Sequence, residues 1–393
     1  MKKIIFVVPI MRGIGGIETS LLNILSNIDY SKYEVDLCVF ANYIAFPEKI
    51  PSQVNIIKGN KLLEYCYIPY VDLKENLGLF EKLKMLFAKG IKKVCGFQTV
   101  IKMSLPTFRF GNYDMAISYA NDAFFGKVFA GGGNEIVDKC ILAEKKVGWI
   151  HNEPNRCGCS KEYFLKTYEN FDHVVNVSFA CKEMFDAMVP EFIDKSVVVY
   201  NMFHIEGIKK KAKSVTNPYN TNVFNIVTVS RIENNQKRVD RILDTCEYLL
   251  SKSFEEFKWT IIGDGPDSEY IIKEAESRGL KRCITFTGKM SNPYPYILNA
   301  DVMVQASDYE AYSMVLQESI ILNTPLIVTN YPSANEAVDN NYNGFLVDLS
   351  YAAIGDKLIE MIEDADKLKL LRGNITKKPF TNSKALSQFY SLL

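Results

Sequence analysis

Two glutamates stand eight residues apart in the stretch SDYEAYSMVLQES, Glu310 ahead of a run of apolar side chains and Glu318 inside it. If a helix starts at Ser313 as its N-cap, each residue turns the chain by about 100°. Glu318 then projects between Met314 and Leu322, an apolar sector, while Val315, Leu316, Ile320 and Ile321 take most of the remaining circumference. Such a helix is packed on nearly all sides. Its carboxylate either looks through a gap in the packing to solvent or accepts hydrogen bonds from a ligand, and periodicity alone leaves both open.

Further groups with chemistry follow apolar, strand-like runs. After VTVS comes RIENNQKRVDRIL, with Arg231 and Lys237 six residues apart beside a helix start. A guanidinium and an ammonium near free helix amides can receive a diphosphate, or they are two solvated side chains of a polar loop. After the first run, MRGIGGIETS carries glycines at 13, 15 and 16. These let backbone amides approach a ligand, or serve only a tight strand-to-helix turn. Glu18 breaks the GxGxxG spacing and no acid ends the second strand, so the nicotinamide fingerprint fails; no GxxxxGK[ST] is present either. His151 ends GWIH on the ligand-facing side of its strand, where a histidine is structural or substrate-binding. His173 and His204 are too far apart in sequence to suggest a metal site with it.

The elements that must position these groups repeat. Apolar runs (KIIFVVPI, YEVDLCVF, MAISY, KKVGWIH, HVVNVS, SVVVYN) alternate with amphipathic ones, a βαβ pattern that implies a parallel sheet. The polar stretch 204–222 reads as a linker. The alternation restarts with VFNIVTVS, a helix from about Arg238 to Ser251, KWTIIG, CITFTG, DVMVQAS, PLIVTN and GFLVD. The expectation is two doubly wound α/β domains, 1–203 and 223–378, facing a cleft, with a final amphipathic piece about 379–393. The 393 residues suit two or three domains. Forty-six basic residues balance 46 acidic ones, which gives no reason to expect nucleic acid as a partner. Nine scattered cysteines without CxxC read as reduced, cytoplasmic thiols. The start MKKIIFVVPIM reads as a buried strand and not a signal peptide, and no apolar run is long enough to span a membrane.

Taken together, Arg231 and Lys237, IIGDGP at 261–266, FTGKM at 286–290 and the Glu-x7-Glu of Glu310 and Glu318 resemble the retaining glycosyltransferases of family 4. GGIE near the N-terminus, His151, FDHVVNVS and VVVYN extend the resemblance over the whole chain. It implies the GT-B fold of two Rossmann-like domains, with a C-terminal helix crossing back to the first. It implies that Glu318 accepts hydrogen bonds from the ribose of a nucleotide-sugar, that Glu310 holds the transferred sugar, and that Arg231 and Lys237 neutralise the diphosphate in place of a metal. His151 would lie near the reacting bond, and Gly15 and Gly16 near the phosphates or acceptor. Gly263, Lys289, Met290, Ala311, Tyr312, Ser313 and Met314 would complete the donor site. The chain departs from the family where Ala311 and Ser313 replace common glycines and where Arg238 follows the lysine.

The reading is a cytoplasmic, metal-independent, retaining glycosyltransferase without a cofactor. It moves a hexose or N-acetylhexosamine, from a UDP-sugar in preference to a GDP-sugar, to a saccharide or lipid-linked acceptor in cell-surface glycan synthesis. Its alternatives are a nucleotide-sugar epimerase of the same fold and a non-catalytic partner of an active transferase. One stretch, 81–110, carries Lys82, Lys84, Lys89, Lys92, Lys93, Lys102 and Arg109 against Glu81, interleaved with Leu83, Met85, Leu86, Phe87, Ile91, Val94 and Phe97. It reads either as a peripheral contact with an anionic membrane or as a core-packed helix pair with a solvated basic face.

Overall fold

The computed structural model describes residues 1–12, 15–67, 78–220 and 222–393, so Gly13 lies outside the described residues. The chain divides into two units, Met1–Phe203 with Asn382–Leu393, and His204–Thr381. In the first, the strands are β1 (Lys2–Val8), β2 (Tyr33–Val39), β3 (Val54–Lys58), β4 (Asn112–Ser118), β5 (Ala123–Phe125), β6 (Val128–Ala130), β7 (Leu142–Ile150), β8 (His173–Asn176) and β9 (Ser196–Val198). Seven of them form a parallel sheet in the order β3-β2-β1-β4-β7-β8-β9, and β5 and β6 pair as a separate antiparallel hairpin. Ile4, Ile5, Phe6 and Val7 of the central β1 are fully buried, as a parallel strand covered on both faces requires. Strand order reverses between β1 and β4, where loops leave in opposite directions and open a crevice at the carboxyl ends.

Helix Ser383–Tyr390 belongs to this first unit. Phe389 stacks on Phe6 with ring centroids 6.3 Å apart, and Tyr390 on Tyr33 at 5.2 Å. Asn382 holds both backbone groups of Phe203, accepting from its N–H and donating to its C=O.

The second unit contains β10 (Phe224–Val229), β11 (Phe257–Ile262), β12 (Ile284–Gly288), β13 (Val302–Gln305), β14 (Leu326–Thr329) and β15 (Gly344–Val347), all parallel, in the order β12-β11-β10-β13-β14-β15. Its switch point lies between β10 and β13. Thr228 fastens that seam: its hydroxyl donates to the Val304 carbonyl at 2.8 Å and accepts from the Trp259 indole at 3.0 Å, both buried.

The stretch read as a linker, 204–222, is corrected by the structure. It carries helix Ile205–Ala212 and groups with the second unit. Ile208 and Ala212, one turn apart, are buried while Lys209, Lys210 and Lys211 stay exposed. The lysines dominate the composition, but two apolar side chains one turn apart are enough to dock a short helix.

Candidate active site

Arg231 follows β10 and Glu310 follows β13, so both lie beside the switch point of the second unit. Glu310 is buried and held by several donors. Lys237 Nζ donates to its Oε1, as does Ser307 Oγ at 2.9 Å, and Gln236 Nε2 donates to Oε2 at 3.2 Å. The side chains of Lys237 and Glu310 are 19% and 9% exposed. A carboxylate so far from water persists only when paired and hydrogen-bonded. Arg231 differs: its side chain is 65% exposed and sits 3.2 Å from Glu233.

Lys237 is not in an open loop. It ends a single helical turn, Asn234–Lys237, and Arg238 then takes left-handed backbone, φ 50°, before helix Val239–Ser251 begins. That conformation is the reason a glycine suits the position. Here an arginine is held there by Asp240 at 3.0 Å and Asp308 at 3.1 Å. Asp308 also accepts from the buried Arg241 at 2.6 Å, so the loop after β13 is clamped to the helix after β10.

The helix expected from Ser313 runs Met314–Ile321 with Ser313 at the N-cap position. Its hydroxyl does not cap; it accepts from Gln305 Nε2 at 2.9 Å, and Gln305 Oε1 in turn accepts from Tyr331 OH at 2.6 Å. Glu318, half-buried on this helix, accepts from Tyr294 OH at 3.0 Å. Burial pushes its carboxyl up to about 7, opposed by the Tyr294 hydrogen bond and the charge of Lys211. The carboxylate is thus partly shielded and has one hydrogen-bond partner within the second unit.

Gly263 has φ 144°, and a Cβ there would meet the Ser230 carbonyl at 1.8 Å. Only glycine lets the chain leaving β11 pass the end of β10. Ala311, Tyr312, Met314 and Met290 are half-buried and Lys289 is exposed.

In the first unit, His151 follows β7. Its Nε2 lies 2.7 Å from the Tyr119 carbonyl, which can only accept, so the proton sits on Nε2 and Nδ1 keeps a lone pair. Burial lowers its pKa to about 4, so the ring is neutral near pH 7. Tyr119 OH lies 2.7 Å from Ser20 Oγ, on helix Gly16–Leu25, tying the glycine turn to the His151 strand end. A Cβ on Gly15 would lie 2.5 Å from Glu18 Oε2, whereas one on Gly16 would meet open space. The Glu18 carboxylate folds back toward the amides of Gly15 and Glu18; burial raises its pKa above the usual carboxylate value despite these bonds.

The second unit thus gathers Lys237, Glu310 and Ser313 into one network, and the first links His151 to the helix opened by Gly16. Sequence reasoning missed Gln236, Gln305, Ser307, Tyr294 and Lys211. Gln305 and Ser307 carried a signal, polar residues ending a buried strand, but Tyr294 lies 24 residues before Glu318 and had none. Among the described residues no group of three or more His, Cys, Asp or Glu could hold a metal ion.

Residues 209–378 match the family model of glycosyl transferases group 1. A curated relative, the N-acetyl-alpha-D-glucosaminyl L-malate synthase of Bacillus anthracis, is 23% identical over 40% of this chain and 43% of its own, so the match spans under half of that protein. The N-acetylgalactosamine-N,N'-diacetylbacillosaminyl-diphospho-undecaprenol 4-alpha-N-acetylgalactosaminyltransferase of Campylobacter jejuni is 24% identical over 96% of this chain and 93% of its own. Among solved structures, a TarM variant of Staphylococcus aureus in complex with fondaparinux, alpha-GlcNAc-glycerol and UDP superposes with a TM-score of 0.70 at 13% identity, covering 100% of this chain and 99% of that one. The match to the group 1 glycosyl transferases covers the second unit, and the whole chain has the GT-B fold, two Rossmann-like units with the C-terminal helix in the first.

Proposed function

We propose that the protein transfers a hexose or N-acetylhexosamine, with retention at the anomeric carbon and without a divalent metal, from a UDP-sugar to a saccharide or lipid-linked acceptor in glycan synthesis. The observation that carries this is the buried Lys237–Glu310 pair beside the second unit's switch point, with Arg231 just beyond the end of β10 and Glu318 on the helix Met314–Ile321 of the same unit. Arg231 and Lys237 stabilise the charge that develops on the departing diphosphate. Glu318 accepts hydrogen bonds from the ribose, and Glu310, fixed by its donors, offers its remaining lone pairs to sugar hydroxyls. The anomeric C–O bond to phosphate breaks while the acceptor oxygen bonds to the same face, and the acceptor proton passes to a phosphate oxygen. Neutral His151 receives a substrate hydroxyl at Nδ1.

The acceptor side of the reading extends to a bilayer. No helix among the described residues is long and apolar enough to cross a membrane. Helix Leu79–Cys95 buries Met85 and Ala88 against the core, yet it leaves Leu79, Phe80, Leu83, Leu86, Phe87 and Val94 exposed among its lysines. An apolar stripe flanked by lysines suits an anionic surface. The full-length relative named for a diphospho-undecaprenol substrate supports a lipid-linked acceptor.

Mass spectrometry of products from a panel of nucleotide-sugars, run with saccharide and lipid-linked acceptors and with EDTA present, tests the assignment. The expected outcome is one glycosylated product with the anomeric configuration of the donor. A new nucleotide-sugar formed without acceptor would identify an epimerase. Activity lost to EDTA and restored by magnesium or manganese would overturn the metal-free mechanism.

A further inference from the structure

Beside the exposed stripe, the first unit holds an open cavity of 570 Å³. Lys89, Lys92 and Lys93 enter it from helix Leu79–Cys95, Lys127 enters it from the turn between β5 and β6, and Tyr67 and Phe97 form part of its wall. No acidic residue is among its described lining residues. The bringing together of Lys127 with the helix lysines is tertiary, since Lys127 lies 34 residues beyond Lys93 in sequence.

The described lining brings four lysines together. Lys92 Nζ donates to the Cys66 carbonyl at 2.8 Å and lies 4.6 Å from the centre of the Phe97 ring, contacts that position an ammonium without neutralising it. Burial lowers the pKa of Lys92, and burial followed by the charge of Lys92 lowers that of Lys89. Both shifts record a protonated state that a nearby anion would favour. On a helix of about 100° per residue, Lys82, Lys89 and Lys93 fall within about 40° of one another, and Leu79, Leu83, Phe87 and Val94 occupy a sector centred about 100° away. At the hairpin tip, Phe125 and Val128 are 65% and 63% exposed on either side of Lys127. Val128 of this tip also lines the cavity.

We infer that this cavity binds the phosphate or diphosphate group of a membrane-borne acceptor, with the apolar stripe and hairpin tip entering the bilayer around it. The inference rests on the lipid-linked acceptor proposed above and names the chemistry that holds it. Ammonium groups meet phosphate oxygens as point charges, so a phosphomonoester of two negative charges is preferred over a singly charged headgroup.

The test uses the full chain and its Lys93→Ala/Lys127→Ala variant, both side chains being exposed. Cosedimentation is measured with phosphatidylcholine vesicles carrying phosphatidic acid or phosphatidylserine, matched in surface charge. Wild type should prefer phosphatidic acid, and the variant should lose at least about 100-fold in affinity for it, the effect of two charge-assisted contacts to phosphate. Its loss on phosphatidylserine should not exceed about 30-fold, the general effect of two lysines at an anionic surface. Equal losses on both lipids would reduce the site to general surface charge, and no loss on either would overturn it outright. Calorimetry with sodium pyrophosphate distinguishes the sources. Pyrophosphate binding that the variant lacks, with no wild-type preference between the vesicles, would give the cavity to a soluble phosphate and overturn the lipid assignment. UDP affinity, measured on both proteins, belongs to the second unit; it should be unchanged, and its failure in wild type would count against the transferase reading and not against this site.

Discussion

The role proposed for Glu318 at a ribose requires a carboxylate, and the residue's environment makes that state conditional. Its pKa rises from 4.5 in the unfolded chain to about 7 in the fold. The folded protein thus holds an extra proton between these values, and this group's contribution to stability falls as pH rises through that window. Glu318→Gln should flatten that fall in pH-dependent melting. Uridine, which has no phosphate to titrate, should bind about tenfold more tightly at pH 8 than at pH 6, and the dependence should vanish in Glu318→Gln. A pH-independent wild type would remove the carboxylate from the ribose site. Lys237 and Arg231 separate by burial. Lys237→Ala leaves Glu310 buried without its cation and should cost about 3 kcal/mol in denaturant unfolding. Arg231→Ala breaks an exposed pair and should cost under about 1 kcal/mol. Both should weaken UDP more than uridine. Equal stability losses would mean that burial does not govern the pair.

Helix Leu79–Cys95 has two apolar faces with different duties. Met85 and Ala88 fix it to the core, while Leu83 and Phe87 touch water in the isolated chain. Leu83→Ser with Phe87→Ser should therefore leave stability within about 0.5 kcal/mol. The same pair should reduce partitioning to anionic vesicles at least about tenfold, because two large side chains no longer enter the interface. Met85→Ala should do the reverse, costing about 2–5 kcal/mol of stability. If the exposed pair destabilised the fold instead, the stripe would be packing surface. The helix after Ser313 carries a similar lesson: its register was fixed by packing, but its first turn is organised by Gln305 from the neighbouring strand and not by its own cap.

The chain visits the first unit, forms the second, and ends in the first, so the stability of one unit depends on residues synthesised after the other. Phe389 is fully buried against Phe6 and Trp149. Phe389→Ala should cost about 3–5 kcal/mol and lower the melting temperature of the first unit. The second unit, which contains none of these contacts, should keep its UDP affinity. A loss of UDP binding equal to the loss of stability would show that the two units do not melt separately.

Most strands were legible because parallel strands covered on both faces leave uninterrupted apolar runs, as FNIVTV and LIVT do. β3 was not, since three of its five residues are exposed, and β5 and β6 are too short to carry a period. Glu310, Glu318, Arg231 and Lys237 stood out because charges placed among apolar runs or at strand ends are conspicuous in one dimension. Their partners were hidden. Tyr294 reaches Glu318 from another helix, Gln305 reaches Ser313 from β13, and Lys211 acts on Glu318 from a helix that composition disguised as a linker. The sequence by itself determined which segments must be buried and which charges would need company there, because burial follows from local apolar content. Which groups supply that company depends on distances of about 3 Å between residues far apart in the chain, and only the packed tertiary structure decides those.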